Sequence, residues 1–182
     1  MTARVTAPLA LVLALFALNP VPGFASQGKW GMALGGGKTP PIVDGFGGRG
    51  LATISAFRSL STHLSVQTRA TYLWSAGTGS AFMPVGLGVR VFADPHRFRQ
   101  SGLFLEAAPS VFISRWFDSR GSLTAARPGL QVGGGFQIPT FDNAGIELGA
   151  LYLKSRDFGS RYPRSHSGLS EIAFHAAMVT GF

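Results

Sequence analysis

Hydrophobic and polar side chains alternate with a period of two along most of this chain, most clearly at its C-terminus. One side of the last segment is mainly apolar and carries Ser170, Ile172, Phe174, Ala176, Met178, Thr180 and Phe182. The other side carries Glu171, Ala173, His175, Ala177, Val179 and Gly181. An apolar face opposite a face with ionisable groups is typical of a strand between lipid and a polar lumen.

Similar patterns predict eight strands, at Trp30–Gly36, Gly48–Arg58, His63–Trp74, Phe82–Phe92, Gly102–Trp116, Arg127–Ile138, Ala144–Lys154 and Leu169–Phe182. Their connections alternate between loops (37–47, 75–81, 117–126 and 155–168) and turns (59–62, 93–101 and 139–143). An even number of strands, with both termini on one side, closes a sheet without free edges. The pattern therefore predicts an all-β fold, an eight-stranded antiparallel transmembrane β-barrel.

Three places depart from a regular pattern. Pro109 lies inside the fifth strand, where its missing N–H predicts a β-bulge, and Gly133–Gly135 is expected to bend or thin the sixth strand. The second strand has no clear face, because Leu51, Thr53, Ser55 and Phe57 compete with Ala52, Ile54 and Ala56. A soluble exported barrel or sandwich is the alternative fold.

The N-terminal residues have the features of a secretory signal peptide. Arg4 precedes a short apolar core at Leu9–Leu18, and Gly23 and Ala25 occupy the −3 and −1 positions of a cleavage site. No later segment approaches the roughly 18 apolar residues of a transmembrane helix. We therefore expect a signal peptide over residues 1–25, cleaved near Ala25, and a barrel domain over 26–182. An N-terminal anchor is the alternative.

Composition narrows the chemistry. The 182 residues include no cysteine, which excludes disulfides, thiol nucleophiles and cysteine metal sites, and we predict no metal or other cofactor. The net charge is +8, but no basic helix or nucleic-acid motif accompanies it, so nucleic acid is not an expected partner. Every Asp lies in a predicted loop or turn, and every Glu lies on a predicted lumen face. We predict a structural polar network in the lumen, formed by Arg69, Arg90, Glu106, Glu147, Glu171 and His175.

With its signal peptide, its eight strands and the terminal Phe182, the chain resembles the small eight-stranded outer-membrane β-barrel proteins, which include the OmpA transmembrane domain and OmpX. The resemblance covers the mature chain and implies the outer membrane of a Gram-negative bacterium, reached from the periplasm through the barrel assembly machinery. A barrel of this size is filled by side chains, so an open pore is not expected. The fold implies no single activity.

Two sets of residues carry functional hypotheses. Basic residues in the outer loops are candidates for contact with lipopolysaccharide phosphates, although a purely solubilising role is left open: Arg120, Arg127, Arg156, Arg161 and Arg164. Candidates for a lipid A deacylase or acyltransferase site are His166, Ser167, Ser170 and Glu171. The resemblance to the deacylases places a serine two residues after the histidine, where this chain has Gly168. We therefore assign no catalytic residue and expect a structural or surface-interaction role, in contact with outer-membrane lipid.

Overall fold

A computed structural model of the protein describes residues 30–40, 48–75, 80–93, 102–118, 121–141, 144–156 and 169–181. Eight strands form within them: β1 (Trp30–Lys38), β2 (Gly50–Ser59), β3 (Leu64–Trp74), β4 (Ser80–Phe92), β5 (Gly102–Asp118), β6 (Gly121–Phe141), β7 (Ala144–Ser155) and β8 (Ser170–Gly181). The predicted signal peptide, its cleavage site and Phe182 lie outside the described residues. Among those residues, no helix is long and apolar enough to span a membrane.

The strands form one closed antiparallel barrel in which each strand pairs with its neighbours in sequence and β1 pairs with β8. This confirms the predicted fold class. We call the end where β1 meets β2, β3 meets β4, β5 meets β6 and β7 meets β8 the loop end, and the opposite end the turn end. β8 joins β1 over eight paired positions, from Gly31↔Gly181 to Lys38↔Phe174, which closes the barrel.

Burial follows the alternation of each strand. Inward side chains are buried, and the outward ones form an apolar belt that includes Leu34, Leu87, Leu105, Leu148, Phe174 and Met178. The ambiguous face of β2 is resolved: Leu51, Thr53, Ser55 and Phe57 are buried, and Ala52 and Ile54 are exposed. A belt of exposed apolar side chains around a closed sheet is the surface that lipid covers in a membrane barrel.

The predicted bulge at Pro109 is wrong. Pairing between β4 and β5 is interrupted between Gly86↔Ser110 and Val89↔Ala107 but resumes in the same register, and pairing with β6 continues through Pro109↔Leu130. Pro84 interrupts the β3–β4 ladder in the same way, between Ala70↔Val85 and Leu73↔Phe82. A missing donor therefore removes local hydrogen bonds here without inserting a residue.

The glycines of β6 do not shift the register either. Pairing with β7 is continuous from Gly129 to Pro139, and the register shift falls between Pro139 and Phe141. Gly133 and Gly135 instead make room: a Cβ on Gly135 would lie 2.8 Å from the Phe104 ring and 2.8 Å from the Cα of Gly149. The two glycines let bulky inward side chains approach the barrel wall.

The loop predicted at 117–126 is largely strand. β5 and β6 pair as far as Asp118↔Gly121, whereas β7 pairs with β6 only from Gly129↔Ser155. The segment of β6 from 121 to 128, which we call the β6 extension, therefore has a strand partner on one side only within the described part of the chain. In the residues that the structure describes, the β5–β6 hairpin therefore reaches farther at the loop end than the pairing between β6 and β7.

Candidate functional site

The lumen contains a charged cluster contributed by five strands. Arg69 lies on β3, Arg90 on β4, Glu106 on β5, Glu147 on β7 and His175 on β8, and each of the five is at most 6% exposed. Each residue occupies an inward position in the two-residue period of its strand. Four of the five side chains are two arginines and two glutamates, whose formal charges cancel.

The geometry of this cluster is that of a connected ion network, in which each arginine contacts both glutamates. Arg90 donates from Nη1 to Glu147 Oε2 at 2.6 Å and from Nη2 to Glu106 Oε2 at 2.7 Å. Arg69 donates to Glu106 Oε1 and, at 3.3 Å, to Glu147 Oε1. His175 Nε2 lies 3.0 Å from Glu147 Oε1. Buried charges are tolerated when they are paired and hydrogen-bonded in this way.

Polar side chains that the sequence did not single out add one hydrogen bond to the network and a separate hydrogen-bonded pair beside it. Gln67 donates from Nε2 to Glu106 Oε2 at 2.8 Å. Gln131 donates to the Ser110 hydroxyl at 2.8 Å, and that hydroxyl donates to the Ala108 carbonyl. All three polar residues are inward and buried. The alternation of their strands predicts that these side chains point inward. It does not predict their hydrogen-bond partners, because an inward amide gives the same sequence pattern with or without one.

Apolar layers close the lumen on both sides of the charged cluster. Toward the loop end lies a cluster of Leu51, Leu73, Phe82, Phe112, Leu151, Leu153, Leu169 and Ala173. Toward the turn end lies a cluster of Ala33, Phe57, Ala177 and Val179. The Arg90 guanidinium carbon is 4.0 Å from the Phe104 ring centroid and 5.9 Å from that of Phe57, which belongs to the cluster toward the turn end. The barrel interior is therefore a packed core in three layers.

Glu171, which was predicted to join the lumen network, does not belong to the central cluster. Its Oε1 lies 2.6 Å from Arg49 Nη1, and the Arg49 guanidinium carbon is 4.5 Å above the Phe82 ring. Arg49 precedes β2 at the loop end, and burial lowers its pKa from the ordinary value, while the Glu171 carboxylate opposes that change. This second ion pair lies over the apolar cluster toward the loop end.

The candidate catalytic residues are not brought together where the structure describes them. Ser170 faces outward, with its hydroxyl 3.1 Å from the Tyr152 hydroxyl, while the neighbouring Glu171 faces the lumen. His166 and Ser167 lie outside the described residues. In the described part of the chain, no group of three or more His, Asp or Glu residues is placed to hold a metal ion.

Basic residues collect at the loop end. Arg156 is exposed directly after β7, and Arg127 lies in the β6 extension. The structure adds Lys38 and Lys154, which are exposed at the ends of the outward rows of β1 and β7. Arg120, Arg161 and Arg164 lie outside the described residues. Tyr72 and Trp74 stack at 5.8 Å on the outer face nearby, in the position of an interfacial aromatic girdle.

Comparisons with known proteins agree with this architecture. No protein-family model and no curated protein matches the chain. The N-terminal β-barrel domain of Pseudomonas aeruginosa OprF matches it with a TM-score of 0.64 at 10% identity, over 86% of this chain and 98% of that one. Neisserial surface protein A matches with a TM-score of 0.60 at 14% identity, over 85% and 96%.

Ail, the attachment invasion locus protein of Yersinia pestis, matches with a TM-score of 0.56 at 10% identity, over 86% of this chain and 99% of that one. A second structure of Ail, in complex with the heparin analogue sucrose octasulfate, matches with a TM-score of 0.53. At these identities the likeness concerns the fold. The chain has the fold of the small eight-stranded outer-membrane β-barrels.

Proposed function

We propose that this protein resides in the outer membrane of a Gram-negative bacterium as a non-conducting barrel with a structural or surface-interaction role, and that its basic loop end contacts lipopolysaccharide. The observation that carries the proposal is the combination of an apolar outer belt with a lumen packed in three layers. The belt suits lipid contact, and a filled lumen has no room for a solute. Passage of small solutes is therefore disfavoured, and silence in a planar-bilayer conductance recording is the expected result.

The charge distribution supports contact with lipopolysaccharide. In the described residues, the Glu carboxylates are already paired inside the barrel with Arg49, Arg69 and Arg90. Lys38, Lys154 and Arg156 are exposed at the loop end, and the sequence places Arg120, Arg161 and Arg164 in the connections there. Phosphate groups are the anions that an outer leaflet presents to such cations. The likeness to Ail, which has been solved with a sulfated heparin analogue, is consistent with a polyanion ligand.

The experiment replaces Arg156, Arg161 and Arg164 together with Ala and measures lipopolysaccharide binding by the protein in nanodiscs. We expect binding to weaken by about tenfold or more, since each phosphate contact contributes on the order of 0.5–1 kcal/mol. The control replaces two arginines, Arg97 and Arg99, between β4 and β5, and the losses are compared per charge removed. Equal loss in both variants would indicate a general charge effect, and unchanged binding in the first would remove the proposal.

Lipid A modification is the alternative function, and the described residues give it no support, because Ser170 and Glu171 lie on opposite faces of β8. Mass spectrometry of lipid A from cells with and without the protein separates the two functions. An unchanged acyl pattern is expected. Loss or gain of one acyl chain that disappears in His166→Ala would replace the binding role with an enzymatic one.

A further inference from the structure

A pair of stacked aromatic rings lies on the outer face of the barrel at the loop end, beside an exposed lysine. Lys38, Gly50 and Trp74 are outward neighbours on β1, β2 and β3, because Lys38 pairs with Gly50 and Gly50 pairs with Trp74. Tyr72 precedes Trp74 on the same outward row, and their ring centroids are 5.8 Å apart with the planes inclined by 23°. We call these four residues the rim site.

Gly50 allows the indole of Trp74 to lie across β2. A Cβ on Gly50 would overlap the ring and would lie 2.8 Å from the indole Nε1. The indole therefore extends from β3 over β2, toward the strand that carries Lys38. Because neighbouring strands are ~4.8 Å apart, the ring covers about half of the distance between β3 and β1. A larger residue at position 50 would displace the ring.

The end of the β1–β2 hairpin holds Lys38 in place. The Thr39 N–H donates to the Arg49 carbonyl at 2.9 Å, and the Arg49 N–H donates to the Thr39 hydroxyl at 2.9 Å. Thr39 is buried, whereas Lys38 is exposed and Trp74 has 42% of its surface exposed. An accessible cation on an ordered backbone thus stands beside accessible aromatic rings.

The surface directly below the rim site is low and apolar. Two residues closer to the turn end, the outward positions of β8, β1 and β2 carry only small residues, Ala176, Gly36 and Ala52. Large apolar side chains border this floor, since Phe174 is 57% exposed beside Lys38 and Leu34 is 67% exposed below Gly36. A hydrocarbon chain fits such a depression, while the rim site above it offers aromatic rings and a positive charge.

We propose that the rim site binds a phosphorylated sugar that carries acyl chains, the chemistry of lipid A. This rests on the proposed contact with lipopolysaccharide and names the chemical unit and the surface that make the contact. The rings of Trp74 and Tyr72 suit the apolar C–H face of a sugar, and the Lys38 ammonium suits its phosphate. Aromatic residues at the end of the apolar belt lie at the depth of lipid head groups. A glycerophospholipid has a phosphate and acyl chains but no sugar ring, so it would use only part of the site.

The test uses the protein in nanodiscs of phosphatidylcholine and follows the indole N–H signal of Trp74 by NMR, assigned with Trp74→Leu. The probe is diphosphorylated lipid A. Two comparison lipids each lack one half of the recognition: dephosphorylated lipid A has the sugar without the phosphate, and phosphatidylglycerol has the phosphate without the sugar. We expect lipid A to shift the Trp74 signal and to bind at least about tenfold more tightly than either comparison lipid.

Three variants locate the contact. Trp74→Leu should weaken lipid A binding about tenfold, whereas its matched control Trp30→Leu, which removes a tryptophan from the turn end, should bind as the unmodified protein does. Gly50→Ala displaces the indole and should weaken binding with Trp74 still present. Lys38→Gln should weaken binding of lipid A and leave that of dephosphorylated lipid A unchanged.

Three results would overturn the proposal: equal shifts of the Trp74 signal by lipid A and phosphatidylglycerol, full lipid A binding by Trp74→Leu, or equal losses in Trp74→Leu and Trp30→Leu. If Trp74→Leu does not fold, Gly50→Ala and the lipid comparison still decide.

The loop arginines are tested separately, because the variant without Arg156, Arg161 and Arg164 keeps the rim site. Lipopolysaccharide binding that is lost in that variant and kept in Trp74→Leu would remove the rim site and leave the proposed loop contact. The reverse result would remove the loop contact and leave the rim site.

Discussion

Glu147 holds the charged cluster together, so its neutralisation is the most informative perturbation of the core. The side chain is fully buried and lies within hydrogen-bonding distance of Arg69, Arg90 and His175. Glu147→Gln preserves its size but removes the charge and one of its two acceptor oxygens. Glu106 is then the only carboxylate left in the cluster to balance two guanidinium groups.

The expected loss of stability is about 3–5 kcal/mol, the cost of leaving one buried charge without its counterion. Glu171→Gln is the matched control, because it removes the same group from an ion pair whose Arg49 side chain is 12% exposed and can reach water. There we expect about 1 kcal/mol. Because the chemical change is identical, the difference of at least about 2 kcal/mol in the loss of unfolding free energy measures the effect of burying the unpaired charge.

The assay is equilibrium urea unfolding from lipid vesicles, followed by tryptophan fluorescence and by the gel mobility of unheated samples. With a slope of about 2 kcal/mol per molar urea, the Glu147→Gln midpoint should fall by about 2 M. Adding Arg69→Gln to that variant restores neutrality and should cost less than it does in the unmodified protein. Equal losses in Glu147→Gln and Glu171→Gln, or additive effects in the double variant, would refute the reasoning.

Two further predictions concern packing. Leu151→Ala removes a fully buried side chain from the apolar cluster toward the loop end and should destabilise the barrel by about 2–5 kcal/mol. Leu148→Ala, on the lipid-facing side of the same strand, should cost clearly less, and the urea midpoints of the two variants measure the difference. Gly135→Ala places a methyl group against the Leu148 carbonyl oxygen and the Phe104 ring and should cost about 1–3 kcal/mol. Gly102→Ala meets no atom within 4 Å and should be neutral or slightly stabilising. A larger loss for Gly102→Ala than for Gly135→Ala would contradict the packing seen around these glycines.

The architecture was predictable from sequence because a lipid-facing row is almost purely apolar. That row identified the faces of the strands whose alternation is regular, most clearly that of β8. It failed for β2, where Leu51 and Phe57 point inward into the two apolar layers of the lumen, so that large apolar residues occur on the inward face as well. Binary patterning assumes a polar lumen, whereas this lumen has apolar clusters on both sides of its charged middle.

The details of the sites were less accessible. The inward parity of Glu171 was evident, but its partner Arg49 precedes β2, outside the strand alternation that sequence analysis uses. The length of the β5–β6 hairpin was missed because residues 119–122 form a polar run that contains Gly121, which is typical of a loop. The bulge at Pro109 was wrong because a ladder can lose hydrogen bonds at one position and keep its register.

The three-layer lumen also bears on how the strands find their alignment. Because the period of a strand is two, a slip by one residue turns every inward side chain outward. For β3, β4, β5 or β7 such a slip would place Arg69, Arg90, Glu106 or Glu147 against lipid, at a cost of up to about 2–4 kcal/mol for an arginine near the bilayer centre. The four charges come from four strands and neutralise one another only when all four are aligned. A misaligned strand would therefore leave charges without their counterions, so the cluster favours the correct register of all four strands together.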